Sequence, residues 1–229
     1  MNNKENTALQ SQTIQDKDTA KVVKGVYTFS RRIAKLYLKI YHRYKCFGIE
    51  NIPKSGGCLL VSNHASFLDP IAIGIQINFR YVRFMARKTL FKNKFTKWWA
   101  ESVGVVELDR EKGSDLNALK KAIKVLKNGD LLAMFPEGTR TPDGNLQPAK
   151  GGLGFLALKA GMPVVPAYID GTFKAFKKGS KFIKPYAITV YYGKPIDLTK
   201  FIETGKEYDK VANYIMQCIA NCPSLYKTH

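Results

Sequence analysis

Residues 58–74 read CLLVSNHASFLDPIAIG. Cys58-Leu59-Leu60-Val61 is an unbroken apolar run, too short for a helix and suited to a buried strand. The run breaks at Ser62-Asn63-His64. Asp69-Pro70 then carries the marks of a helix start: a favoured cap residue, followed by a proline where a missing N–H costs nothing. Strand, polar turn and helix in so short a span point to an α/β architecture.

The turn also poses the chemical question. In a regular helix five residues rotate by about 500°, so His64 and Asp69 could not share a face if both were helical. A pairing needs His64 in the loop before the helix. On spacing alone two readings stay open: a polar turn followed by a helix cap, or a histidine base steadied by an aspartate. The cap accounts for Asp69 and leaves the adjacent Asn63-His64 unexplained.

Outward from this unit, strand-like runs recur at 58–62, 81–86, 103–108, 130–135, 164–169 and 187–192. Helical patterns fall at 70–78, 115–128, 151–160 and 206–221. The clearest runs from the cap candidates Ser114 or Asp115 through Leu116, Leu119, Ile123 and Leu126 to an Asn128-Gly129 stop. The alternation predicts a single α/β domain whose mixed or largely parallel twisted sheet is flanked by helices. At 229 residues and 45% hydrophobic, the chain can bury one sizeable core, and it shows no midpoint linker or internal repeat.

Lys and Arg number 37 against 18 Asp and Glu, a net charge of +19 that calls for a polyanionic partner, either nucleic acid or anionic lipid. Cys46, Cys58, Cys218 and Cys222 contain no CxxC pair and read as free thiols of a reducing compartment rather than metal ligands. His42 lies in a basic segment and His229 is the last residue, which leaves His64 for imidazole chemistry.

Residues 1–20 are polar, lack the apolar stretch of a signal peptide and are expected to form a flexible tail. Residues 21–45 carry eight basic residues and no acid, with Val22, Val26, Phe29, Ile33, Leu36, Ile40 and Tyr44 at spacings of three and four. This predicts a basic amphipathic helix suited to a membrane surface, with Gly25 a candidate break; a core-packed helix is the plainer reading. No run offers the roughly 18 uncharged apolar residues of a spanning helix, so membrane contact is expected to be peripheral. Two more acid-free segments, 80–99 and 171–185, interleave lysine and arginine with aromatics. Each suits RNA, through phosphate contact and base stacking, or a lipid-facing rim equally well.

A histidine near its ordinary pKa can take a proton from an alcohol once a carboxylate holds its other nitrogen. No Gly-x-Ser-x-Gly elbow occurs, so the substrate would have to bring the nucleophile. A second polar cluster, FPEGTR at 135–140, follows an apolar run, and the carboxyl ends of strands are where open α/β sheets bind ligands. There Arg140, Thr139 and backbone N–H groups near Gly138 could grip a phosphate, while Glu137 could bind a hydroxyl or hold Arg140. A polar turn with a surface ion pair is the bland alternative. Arg110, after VGVVELD, and Lys150, before a glycine-rich helix start, are weaker phosphate candidates that also read as surface cations.

Taken in order, NHASFLD, GVVELDR, FPEGTR and MPVVPAYI resemble the four sequence blocks of the glycerolipid acyltransferases, over a span from His64 to Ile169. Within that family the resemblance is to the enzymes that acylate 1-acylglycerol-3-phosphate. It implies transfer of a fatty acyl group from a thioester, on acyl-CoA or acyl carrier protein, to the sn-2 hydroxyl of lysophosphatidic acid, giving phosphatidic acid. His64 is implied as the general base and Asp69 as its orienting partner. Glu137, Gly138, Thr139 and Arg140 fall in the block implicated in binding the acceptor, and Arg110 closes the block associated with its phosphate. Lys150 matches a basic position that follows the third block in many members. No metal or other cofactor is implied, nor a nucleic-acid partner; the expected surface partner is an anionic membrane, at its cytoplasmic face. The implied organisation is a tail over 1–20, a membrane-associating helical segment over 21–47 and an acyltransferase domain over 48–229. Glu107 stands where the family usually has Ile or Phe, which leaves the role of the neighbouring Asp109 open. Two alternatives remain: an acyltransferase acting on another lysolipid or on glycerol phosphate, and a non-catalytic basic protein that binds lipid or RNA.

Overall fold

The computed structural model describes residues 22–87, 93–108, 115–150, 152–203 and 207–226. Helix α1 (Lys24–Tyr41) leads into β1 (Lys45–Phe47), and β2 (Cys58–Ser62) is followed by the short helix α2 (Asp69–Gly74). Next come β3 (Val82–Arg87), α3 (Lys94–Ser102), β4 (Val105–Leu108), α4 (Asp115–Lys127) and β5 (Leu131–Met134). The chain continues through α5 (Leu153–Ala160), β6 (Val164–Asp170), α6 (Thr172–Phe176), β7 (Thr189–Tyr192), α7 (Thr199–Glu203) and α8 (Tyr208–Asn221).

The seven strands form one sheet in the order β1-β7-β6-β2-β5-β3-β4, parallel at every junction except β6 with β7. The mixed, largely parallel sheet read from the sequence is therefore present. Because successive strand residues point to opposite faces, Cys58 and Leu60 of β2 enter one core while Leu59 and Val61 enter the other. The first core is closed by Leu38 of α1, Ala72 and Ile73 of α2 and Ala175 of α6. The second is closed by α4, α5 and α8, through residues such as Leu126, Leu156 and Ile215. A Cβ on Gly154 would run into the Tyr208 carbonyl, so this glycine lets α5 lie close against α8.

Some expectations need correcting. The helix expected to continue through residue 45 ends at Tyr41, capped by His42, and Arg43 turns the chain with a positive φ of 45°. Lys45–Phe47 is instead an edge strand paired with β7, and Gly25 sits in the first turn of an unbroken α1. The helix expected over 70–78 ends at Gly74. Helix α3, within a segment read only as basic and aromatic, had a visible signal in Asn93, whose side chain accepts from the Phe95 N–H as an N-cap.

Candidate active site

Strands β6, β2 and β5 are parallel neighbours at the centre of the sheet, so their carboxyl ends open onto the same edge. His64 leaves this edge after β2, and the FPEGTR segment leaves it after β5. Asn63 explains how the first loop is anchored. Its side-chain amide donates to the Ile169 carbonyl at 2.9 Å and accepts from the Ile169 N–H at 2.7 Å, carrying the pairing with β6 one residue past β2. A buried side chain thus completes the ladder where the backbone turns away.

Asp69 is buried at the first position of α2, and it does not cap its own helix; Leu68 holds the N-cap position. Its Oδ2 instead reaches back to the loop, accepting from the Ala65 N–H at 2.6 Å, the Ser66 N–H at 2.7 Å and His64 Nδ1 at 2.8 Å. A carboxylate can only accept here, so Nδ1 carries a proton, and in the neutral ring Nε2 keeps its lone pair. His64 is in the loop, as the pairing requires. Its side chain is 19% exposed and lies stacked on Phe135, ring centroids 4.3 Å apart and planes at 17°.

The loop after β5 grips the backbone of His64 at both its polar groups. Glu137 Oε1 accepts the His64 N–H at 2.7 Å, and the Thr141 N–H donates to the His64 carbonyl at 2.8 Å. Glu137 Oε2 accepts the Gln147 N–H at 3.2 Å, so this carboxylate, 1% exposed, faces protein backbone on both oxygens. The sequence suggested that Glu137 binds a hydroxyl or holds Arg140; the structure places it as a brace between two loops. Burial pushes its carboxyl above the usual glutamate value, and the two N–H groups oppose that shift.

Gly138 adopts a φ of 68°, a conformation that side-chain-bearing residues rarely take, and its N–H closes the turn onto the Phe135 carbonyl at 3.1 Å. The exposed Lys150 packs over it: a Cβ on Gly138 would lie 3.3 Å from Lys150 Cδ. The Arg140 guanidinium sits over Phe67, its Cζ 3.5 Å from the ring centroid, although Phe67 itself is largely exposed. Burial lowers the Arg140 pKa, and the Asp69 charge works against that. Arg140 Nη1 and Asp69 Oδ1 are both buried and have no hydrogen-bond partner among the described residues. Thr139 is exposed at the rim. The structure thus brings His64, Asp69, Glu137, Gly138, Arg140 and Lys150 together, while Arg110 and Asp109 lie outside the described residues. Asn63, Phe67 and Phe135 were given no role from the sequence, although all three lie inside the quoted motifs NHASFLD and FPEGTR.

A loop-borne histidine held by a buried carboxylate, beside an arginine at the carboxyl edge of an α/β sheet, is the kind of site that acyl transfer to an alcohol requires. The family model described as Acyltransferase matches residues 43–170, and the chain belongs to that family. More particularly, it is 38% identical to a chloroplastic 1-acyl-sn-glycerol-3-phosphate acyltransferase of Brassica napus, over 73% of this chain and 50% of the plant protein. It is 28% identical to the Bacillus subtilis 1-acyl-sn-glycerol-3-phosphate acyltransferase, over 77% of this chain and 85% of that one. The chain thus spans about half the length of the plant relative and most of the bacterial one. Among solved structures it resembles the Thermotoga maritima 1-acyl-sn-glycerophosphate (LPA) acyltransferase PlsC, with a TM-score of 0.74 and 26% identity, covering 98% of this chain and 89% of that one.

Proposed function

We propose that the protein transfers a fatty acyl group from an acyl thioester to the sn-2 hydroxyl of lysophosphatidic acid, giving phosphatidic acid. The observation that carries the reading is the 2.8 Å contact between His64 Nδ1 and the buried Asp69, which leaves Nε2 free in a partly open site. Nε2 takes the acceptor's hydroxyl proton while the oxygen attacks the thioester carbonyl. The tetrahedral intermediate then expels the thiolate, and His64 returns the proton to sulfur. No acyl-enzyme forms, and both proton transfers run through one imidazole without a cofactor. Asp69 fixes the tautomer and stabilises the imidazolium as it appears. Arg140 is assigned to the acceptor's phosphate, with Lys150, Thr139, the backbone at Gly138 and Arg110 as further contacts; Glu137 acts by holding the His64 backbone. The donor is acyl-CoA or acylated carrier protein.

The reading includes peripheral binding to an anionic membrane, at its cytoplasmic face. Among the described residues no helix is long and apolar enough to cross a membrane. At 100° per residue, Phe29, Ile33, Leu36 and Ile40 of α1 fall within about 60° of one another. All four are more than half exposed, while Leu38 on the opposite side is buried in the core. Helix α3, tied to α1 where Trp99 Nε1 donates to Ser30 Oγ at 3.2 Å, adds the exposed Phe95 and Trp98. Arg32, Lys35 and Lys39 flank the stripe, the combination of exposed apolar face and cationic edge that favours an anionic lipid surface.

The test is mass spectrometry of products from the purified protein, given mixed acyl-CoA and acyl-carrier-protein donors and a panel of lysolipids with glycerol phosphate. The expected product is phosphatidic acid from lysophosphatidic acid. Product from another acceptor alone would reassign the substrate. No transfer to any acceptor in the presence of vesicles would refute the enzymatic reading.

A further inference from the structure

The helix that carries Asp69 is only six residues long, and a helix that short has little stability of its own. Its far end is held from outside. The Tyr44 hydroxyl donates to the Ala72 carbonyl at 2.9 Å, the Tyr192 hydroxyl to the Ile73 carbonyl at 2.6 Å, and Arg31 Nη1 to the Ile75 carbonyl at 3.1 Å. The carbonyls of Ile71 and Gly74 are met by the N–H groups of Ile75 and Ile77. Every carbonyl from 71 to 75 is therefore bonded, three of them by side chains from α1, the α1–β1 connection and β7. Arg31 also places a positive charge where the helix dipole is negative. Burial pushes both phenols well above their ordinary range, so each remains an O–H donor.

We propose that Tyr44, Tyr192 and Arg31 are positioning residues for the transfer reaction: they fix the far end of α2 and thereby the line on which Asp69 meets His64. None of the three is bonded to His64 or Asp69, so each acts through the helix. The inference rests on His64 being the base assigned above. It also gives α1 a second role, since Arg31 on its inner face ties a membrane-facing helix directly to the catalytic one.

Tyr192→Phe tests this by removing one oxygen and keeping the ring. With lysophosphatidic acid and acyl-CoA, kcat is expected to fall about tenfold while both KM values stay within about twofold, because misplacement by a fraction of an ångström damages the transition state more than binding. The Tyr44→Phe/Tyr192→Phe double variant is expected to fall further. A second readout needs no substrate. The His64 Nδ1 proton, assigned by its absence in His64→Gln, resonates downfield because Asp69 accepts it, and it is expected to move upfield in Tyr192→Phe as that contact lengthens. If the wild type transferred nothing, the proposed function would fail while this spectrum still tested the positioning. An unmoved resonance would overturn the inference, whether kcat is unchanged or falls together with thermal stability. So would an equal loss of kcat in Tyr226→Phe, whose hydroxyl donates to the Tyr192 carbonyl and not to α2.

Discussion

His64 is held at three points: its ring by Asp69, its N–H by Glu137 and its carbonyl by the Thr141 N–H. Spacing allowed the first contact without deciding it: Pro70 and the five-residue separation left a helix cap and a His64–Asp69 pair both open, and the resemblance to the acyltransferase blocks favoured the pair. The other two were not legible in the sequence. Both engage the backbone of His64, which carries no letter of its own, and the Glu137 side-chain bond spans 73 positions. Asp69→Asn keeps an acceptor oxygen but removes the negative charge that stabilises the imidazolium, so acyl transfer is expected to drop by roughly 10³–10⁴ in kcat. A loss under tenfold in steady-state assays would remove Asp69 from the mechanism. For Glu137 the prediction concerns stability. Its pKa is raised in the folded state, so its contribution is full at acid pH and is lost as pH rises through the folded value. Glu137→Gln cannot titrate. The melting-temperature advantage of wild type over Glu137→Gln is therefore expected to shrink as pH rises above the ordinary glutamate value of about 4.3. A constant or widening gap would show that burial does not govern this carboxylate.

At the scale of elements, α1 carries apolar residues on two opposite sides, one in the core and one exposed. Its helical character and basic charge were plain from spacing. That two different surfaces use its apolar residues was not, since a single period of three and four cannot assign faces to partners. The end of α1 was misplaced for a similar reason: no glycine or proline stops it, and pairing of Lys45–Phe47 with β7 overrides the helical spacing. The two faces are expected to respond differently to substitution. Ile33→Asp with Ile40→Asp should weaken co-sedimentation with anionic vesicles at least tenfold and leave the melting temperature nearly unchanged, because only exposed positions lose apolar area. Leu38→Ala should cost about 2–4 kcal/mol in denaturant unfolding, as a buried leucine does. Vesicle binding that survives the double aspartate variant would move the docking surface elsewhere.

Across the whole molecule, alternation of strands and helices announced the α/β class, and the strand runs fell within a few residues of their observed places. The order β1-β7-β6-β2-β5-β3-β4 was not readable, because hydrophobic pattern shows that a strand is buried without showing which neighbours bury it. Burial also decides the thiol chemistry. All four cysteines are free, and burial pushes Cys46 up to about 11 and Cys58 and Cys222 up to about 12. Native protein at pH 8 is therefore expected to react slowly with iodoacetamide, with Cys58 and Cys222 labelled only on unfolding; rapid labelling of Cys58 would contradict the packing of β2. What unites the sheet edge, the braced loop and the proposed docking face is the proposed role of His64 as the base for acyl transfer to a lipid hydroxyl. The most direct test measures phosphatidic acid formed from lysophosphatidic acid and an acyl thioester, by wild type and by His64→Ala of equal melting temperature and vesicle affinity. The account predicts that the variant loses at least about 10³-fold in rate. Comparable rates in the two proteins would contradict it.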